Sequence, residues 1–563
     1  MKNEVIDITN STMELTDCRD KWFYDERHDC WCLEDIVYSP KADVPKFQRL
    51  SVYAPAAYVN ENGIVNPNGA MNGYTAATAP IVFHTSSAGY MQMPHTWLYG
   101  PRCRADEFLK RGMVYVTCGN RGRESRNDKG QAVGKAPINL IDLKIAIRFL
   151  RHNRSALPGS TDRIVTMGTS AGGAMSSLLG VTGDHPDYDA YLREAGAFID
   201  ESDTVFASQI YCPIIDLEHA DLAYEWLFAA DDTCEDSHAG PAETMTPFKA
   251  ALSKKLAARY IDYFNGLGLK DPDSGEALMI GVDGRSGSFY EYLMARLDDS
   301  ATVYMKKLAA GELPTACGVE DYIRGNYTYE APAPQPHGDP DAHHIGPGAA
   351  LERAEGAEEL TMGDIVARPP KGVPFHEMRV PMIEKRGADK RAWLSWDGAR
   401  ARISDLDTYI LNYRRRMKPC TSFDKLDCDS GENHVFGNDD ANYLHFNPVI
   451  GKAIRDLAVD FPDEAARYAD AYAQADDPSL ARRVALINPL NYIDPDKQGK
   501  AEHFRVRVGA FDADTAFSVA MTLALKLQNC GYDADYALVW DQPHCDADYP
   551  GGAPDWIEQI TKG

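Results

Sequence analysis

The chain has 563 residues, 44% of them hydrophobic, which is more than one ordinary core organises, so one large domain carrying a substantial insertion, or two domains, is expected. With 84 acidic against 58 basic residues the formal net charge is -26, which argues against nucleic acid or an anionic membrane as partner and for a small neutral or weakly acidic molecule. No run of about 18 apolar residues suggests a membrane span, and MKNEVIDITNSTMELTD lacks an uninterrupted apolar region; a soluble chain is expected, cytoplasmic unless a leader has been removed.

Residues 1 to about 47 interleave aromatic and charged side chains, as in KWFYDERHDCWCLEDIVYSP, and read as an N-terminal strand and loop packed on the core. RLSVYAPAAYV alternates as a strand, and ENGIVNPNGAMNG follows as a turn-rich loop. Ala79 to Tyr90 is an apolar strand ending in small residues, His84-Thr-Ser-Ser-Ala-Gly89. Met113 to Cys118 is a further strand. From about Asn139 to Arg151 a helix is predicted, with Ile141, Ile145 and Phe149 on its apolar face and Asp142, Lys144 and Arg148 at the rim.

Ile164 to Leu179, IVTMGTSAGGAMSSLL, is a strand, a tight turn and a helix. A serine hydroxyl is a weak nucleophile until a base takes its proton, and a strained strand-to-helix turn exposes Ser170 to that base. Gly168 and Gly172 let strand and helix approach without a Cβ clash, and Ala171 can offer its backbone N–H to an oxyanion. A second donor is expected from the loop after the earlier strand, at Ala88 or Gly89. Thr204 to Asp216 reads as another buried strand.

From about 217 to 490 the pattern is mainly helical, with amphipathic stretches at 249–268, 289–310, 404–417 and 462–475. The division expected is therefore a core in two parts, 1–216 and 491–563, with residues 217–490 inserted as a lid. APAPQPHGDPDAHHIGPG at 331–348 reads as an irregular exposed loop. Its His337, Asp339, Asp341, His343 and His344 lack the helical i, i+4 histidine pair that orders a metal site, so no metal and no cofactor is expected. The twelve cysteines are scattered, only Cys30 and Cys32 lying close, and free thiols are expected. A monomer is the expected oligomeric state.

Strand, helix and strand resume with Phe504 to Val508, a helix from about Thr515, and Ala534 to Trp540. Asp512 follows the first of these strands and His544 the second, so Ser170, Asp512 and His544 stand in the chain order of an α/β-hydrolase triad, each just past a strand on one sheet edge. The fold class expected is α/β: a doubly wound, mostly parallel sheet with a large helical insertion.

On four stretches the sequence resembles the bacterial tannases, tannin acyl hydrolases of the α/β-hydrolase superfamily: GTSAGGA at 168–174, GKAPINLIDLKIAIRFLR at 134–151, FDADT at 511–515 and KPCTSFDKLDCDSGEN at 418–433. The resemblance implies a galloyl ester as small-molecule substrate, with Asp514, Lys418 and Glu432 recognising the three ring hydroxyls. Two carboxylates supply acceptors for phenolic hydroxyls, and a cation favours a partly ionised phenolate oxygen. Fungal tannases and feruloyl esterases carry cysteines immediately before the serine and histidine; here those neighbours are Thr169 and Pro543. The alternatives are a feruloyl or general aromatic carboxylesterase on the same fold, and, in another class, a hydrolase-like binding module without catalysis.

Overall fold

The β-branched and apolar runs of the sequence assemble into one nine-stranded sheet. In the computed structural model the residues described are 5–9, 13–99, 103–234, 243–313, 317–324, 393–549 and 551–562. The sheet strands are β1 (Phe23–Asp25), β2 (Cys30–Val37), β3 (Arg49–Pro55), β4 (Pro80–Thr85), β5 (Val114–Cys118), β6 (Ser160–Thr169), β7 (Ala207–Tyr211), β8 (His503–Gly509) and β9 (Asp533–Val539). Their spatial order is β1-β2-β3-β5-β4-β6-β7-β8-β9. Pairing is antiparallel from β1 through β3 to β5 and parallel from β5 to β9. Every residue of β5 and of β7 is buried, as strands covered on both faces must be.

Helices α1 (Ile138–His152), α2 (Ala171–Val181) and, late in the chain, α8 (Phe517–Asn529) and α9 (Gly552–Lys562) accompany these strands. The expected rim of α1 is in fact interior: Asp142, Lys144 and Arg148 are all buried. Burial is tolerated because each charge is paired, Asp142 with Arg121 at 2.8 Å and Asp203 with both Lys144 and Arg148 at 2.7 Å. The amphipathic pattern of α1 therefore marks two buried faces, one apolar and one ionic.

The N-terminal region differs from the reading of one strand and a loop. It contains a 3₁₀ segment, Leu15–Lys21, and the β1–β2 hairpin that forms the antiparallel edge. The C-terminal α9, with Trp556 and Ile557 buried, was not among the elements expected.

Between β7 and β8 the chain leaves the sheet for a long insertion. Its helices include α3 (Leu217–Leu227), α4 (Pro247–Gly266), α5 (Ser288–Ala309), α6 (Leu406–Asn412) and α7 (Gly431–Val435). α4 and α5 match the stretches expected at 249–268 and 289–310. The 404–417 stretch is helical only to Asn412, because Arg414 and Arg416 turn inward and are wholly buried. The 462–475 stretch breaks into Pro462–Tyr468 and a 3₁₀ turn, Ala471–Asp476. Two short antiparallel pairs, Thr233–Cys234 with Glu243–Thr244 and Leu394–Trp396 with Ala401–Ile403, interrupt the helices. The histidine-containing loop at 331–348 lies outside the described residues. All twelve cysteines are free, and no described helix is long and apolar enough to cross a membrane.

Candidate active site

β6 ends at Thr169 and α2 begins at Ala171, leaving Ser170 alone at the turn with φ 63° and ψ −124°. A side-chain-bearing residue adopts this conformation only where its surroundings impose it. They do so here through three backbone bonds: Ser170 N–H donates to Tyr211 O at 3.1 Å, and Ser170 O accepts from Ile214 N–H at 3.2 Å and from Ala174 N–H at 3.0 Å. A Cβ on Gly168 would lie 2.1 Å from Thr85 Oγ1, so only glycine permits this approach. The Ala171 N–H lies in the first turn of α2, where backbone donors have no partner within the helix.

The loop after β4 grips this turn. Gly172 N–H donates to Ser87 O at 3.0 Å, and Thr85 Oγ1 donates to Gly172 O at 2.9 Å. Ala88 and Gly89 sit further out: Ala88 O accepts from Met91 N–H, and Gly89 is exposed at φ 53°. Among the described residues the loop's hydrogen bonds to the turn thus come through Thr85 and Ser87.

Asp512 and His544 follow β8 and β9, on the carboxyl edge where β6 delivers Ser170. Asp512 is wholly buried; its Oδ2 lies 2.8 Å from His544 Nδ1, and its Oδ1 accepts from Asp514 N–H at 2.9 Å. Burial pushes the Asp512 carboxyl up, but the His544 charge and hydrogen bond, with Arg414 behind them, hold it below the usual carboxylate range. Burial works against the His544 imidazolium, yet the charges of Asp512 and Asp514 raise it well above an ordinary histidine. No hydrogen bond joins Ser170 to His544 among the described residues.

Sequence reasoning did not single out Cys212, the residue after β7. Atoms of Cys212, Asp512 and His544 that could bind a metal lie within 4.8 Å of one another. Burial pushes the thiol up to about 12, so it stays protonated beside the imidazole. A second such group, Asp216, Glu218 and His219, is occupied internally: Asp216 accepts from Tyr263 Oη at 2.7 Å and Asn488 Nδ2 at 2.8 Å, and lies 2.8 Å from His219 Nδ1.

The insertion brings Lys418 and Glu432 to the same edge. Lys418 N–H donates to Tyr224 Oη at 3.1 Å, and that hydroxyl donates to Ala513 O at 2.9 Å, between Asp512 and Asp514. Lys418 Nζ stands 4.4 Å from the Phe423 ring centroid. Glu432 lies in the first turn of α7, which Ser430 and Asn433 close with a reciprocal capping box. Its charge, after burial, helps raise the Tyr90 phenol, whose Oη donates at 2.7 Å to the carbonyl of Ile214, the residue bonded to Ser170.

Two buried anchors that the sequence did not advertise hold this segment. Arg416 pairs with Glu225 on α3 at 2.5 Å, both without exposure. Asp221, also on α3, accepts the N–H groups of Ser422, Phe423 and Asp424 at 2.6, 2.9 and 3.0 Å. Each carboxylate sits inside an apolar helix pattern, and its partners come from roughly two hundred residues later, so no local spacing betrays it.

A strained serine turn at the carboxyl edge of a mostly parallel sheet, with a buried Asp–His pair beyond two later strands, is the arrangement of the α/β-hydrolase fold, and likeness to solved carboxylic ester hydrolases places the chain in that enzyme class. The family model BD-FAE, an α/β-hydrolase family, matches residues 80–217. Among solved structures the chain is similar to tannin acyl hydrolase from Lactobacillus plantarum, at 29% identity over 94% of each chain with a TM-score of 0.71. Fusobacterium nucleatum tannase is 26% identical over 94% of this chain and 95% of its own, with a TM-score of 0.69. A tannin acyl hydrolase solved in complex with ethyl gallate is 29% identical over 94% of both chains, with a TM-score of 0.69. Comparison with curated protein sequences finds no match.

Proposed function

We propose that this chain is a serine esterase that cleaves galloyl esters, including those of hydrolysable tannins, and releases gallic acid. Ser170 Oγ attacks the ester carbonyl while His544 takes its proton, and Asp512 holds the imidazole tautomer and stabilises the imidazolium. The Ala171 N–H and a second donor from the loop carrying Ala88 and Gly89 receive the oxyanion. Collapse of the tetrahedral adduct expels the alcohol, which takes the proton from His544, and leaves Ser170 acylated. Water, deprotonated by His544, then attacks the acyl-enzyme; gallic acid leaves and Ser170 regains its proton.

On this reading residues 217–490 form a lid over a core made of 1–216 and 491–563. Lys418 and Glu432 from the lid, with Asp514 from the core, engage the three ring hydroxyls. The observation that carries the reading is the meeting of two segments at one hydroxyl: Tyr224 Oη joins the Lys418 amide to the Asp512–Asp514 turn. The likeness to tannin acyl hydrolases, one of them solved with ethyl gallate, supports the choice of acyl group.

Product release from methyl gallate, methyl protocatechuate and methyl ferulate, measured for the native chain and for Ser170→Ala, tests both halves. Rapid gallate release, lost in the variant, is expected. Equal rates on the three esters would favour a feruloyl or general aromatic carboxylesterase, and no turnover of any ester would favour a binding module.

A further inference from the structure

The serine turn and the histidine loop reach each other from distant parts of the chain, and a side-chain bridge joins them beside the proposed chemistry. Thr169, the last residue of β6 and the neighbour of Ser170, donates its hydroxyl to Asp546 Oδ1. Asp546 stands two residues beyond His544. Its other oxygen accepts from Arg104 Nη1 at 3.3 Å. Arg104 is 8% exposed and is itself gripped by Glu107, at 3.1 Å through Nε and 2.8 Å through Nη2. The bridge therefore ends on a buried, doubly held cation.

We infer that Asp546 is a positioning residue, which sets the reach of the His544 imidazole to Ser170 by tying the histidine loop to Thr169 and Arg104. The inference rests on the serine-esterase reading above.

The two ends of the bridge differ in stiffness. Thr169 is held by the β6–β7 ladder and has a β-branched side chain with restricted χ1. His544 lies in a stretch from Gln542 to Asp548 without helix or strand, so its backbone needs outside anchors. Asp548 is a second such anchor, accepting from Tyr211 Oη and Arg505, each at 2.7 Å. A base must come within about 2.6–3.2 Å of the proton it removes, and a displacement of about 1 Å can cost on the order of 100-fold in rate. A charged acceptor on a fixed hydroxyl holds that distance more firmly than loop packing alone.

The test is the rate at which a fluorophosphonate labels Ser170 in the full-length chain, read by intact mass, with kcat and KM on methyl gallate alongside. Asp546→Ala and Thr169→Val are each expected to label about 10- to 100-fold more slowly and to lose kcat by the same factor with KM unchanged; Thr169→Ser, which keeps the hydroxyl, should restore both. The double variant should be no slower than the slower single one, because both remove one bridge. Labelling of Thr169→Val at the native rate overturns the role, as does a multiplicative loss in the double variant. Thr169→Val replaces the hydroxyl with a methyl group of similar size, so it decides the matter even where Asp546→Ala fails to fold. Slowed labelling in a chain that ignores gallate esters supports the role while the galloyl reading fails. A native chain that is never labelled removes the serine mechanism and this role together.

Discussion

Asp512 Oδ2 and His544 Nδ1 lie 2.8 Å apart at the ends of two adjacent parallel strands, the carboxylate wholly buried and the imidazole 17% exposed. Burial disfavours both charges; each stabilises the other, with Arg414 adding to the hold on Asp512 and Asp514 to that on His544. This couples the site to pH.

In the proposed mechanism His544 must be neutral to take the serine proton, so kcat/KM on methyl gallate should fall as pH drops through its pKa. The neighbouring Asp512 and Asp514 charges raise that pKa, which places the acid limb above that of an ordinary histidine. Asp514→Asn removes one of those negative charges, makes the imidazolium less stable and moves the acid limb to lower pH. A limb that stays put, or moves up, contradicts the electrostatic account.

Ser170→Ala should lose at least about 10⁴-fold in kcat while the chain stays folded. Ser170→Gly should lose activity equally but unfold at a higher urea concentration than the native chain. The φ of 63° costs a serine conformational energy that glycine does not bear, a difference of about 1 kcal/mol. Equal unfolding midpoints would mean that the turn carries no strain.

Glu225→Ala leaves the Arg416 guanidinium buried with its charge partner gone and should cost about 3–5 kcal/mol in urea unfolding. Arg416 Nη1 also donates to Lys418 O at 3.3 Å, so KM for gallate esters should rise in whatever folded fraction remains. Unfolding at the native midpoint would show that the pair does not anchor the segment.

Lys418→Ala and Glu432→Gln should each raise KM for methyl gallate by about 10- to 100-fold while changing methyl benzoate turnover little. A site built to pair ring hydroxyls loses most on the substrate that has them, because its own polar groups are otherwise left unpaired. Equal losses on both esters would place these side chains in the fold rather than in recognition.

The local constraints were legible before any fold was known. β-branched runs mark the strands, the glycines of GTSAGG mark a turn that only they permit, and residues past strand ends fall on one edge of a parallel sheet by its geometry alone. Hence Ser170, Asp512 and His544 could be singled out from order and spacing.

What needs two distant segments to meet could not be read in this way. Asp142, Lys144 and Arg148 have the spacing of a solvated rim, and only Arg121 and Asp203, delivered by other elements, make them interior. Arg414 and Arg416 resemble a surface cation run until Thr515 and Glu225 close on them. Cys212 beside His544, and Asp546 beneath Thr169, are invisible in sequence because their partners stand roughly three hundred residues away or more. By itself the sequence determined the parallel strands of the core, the serine turn and the chain order of Ser170, Asp512 and His544, since these follow from backbone sterics and local periodicity. The tertiary structure alone decided which charges are buried and what holds the histidine loop to the serine turn, because a buried charge is stable only beside partners that folding brings to it.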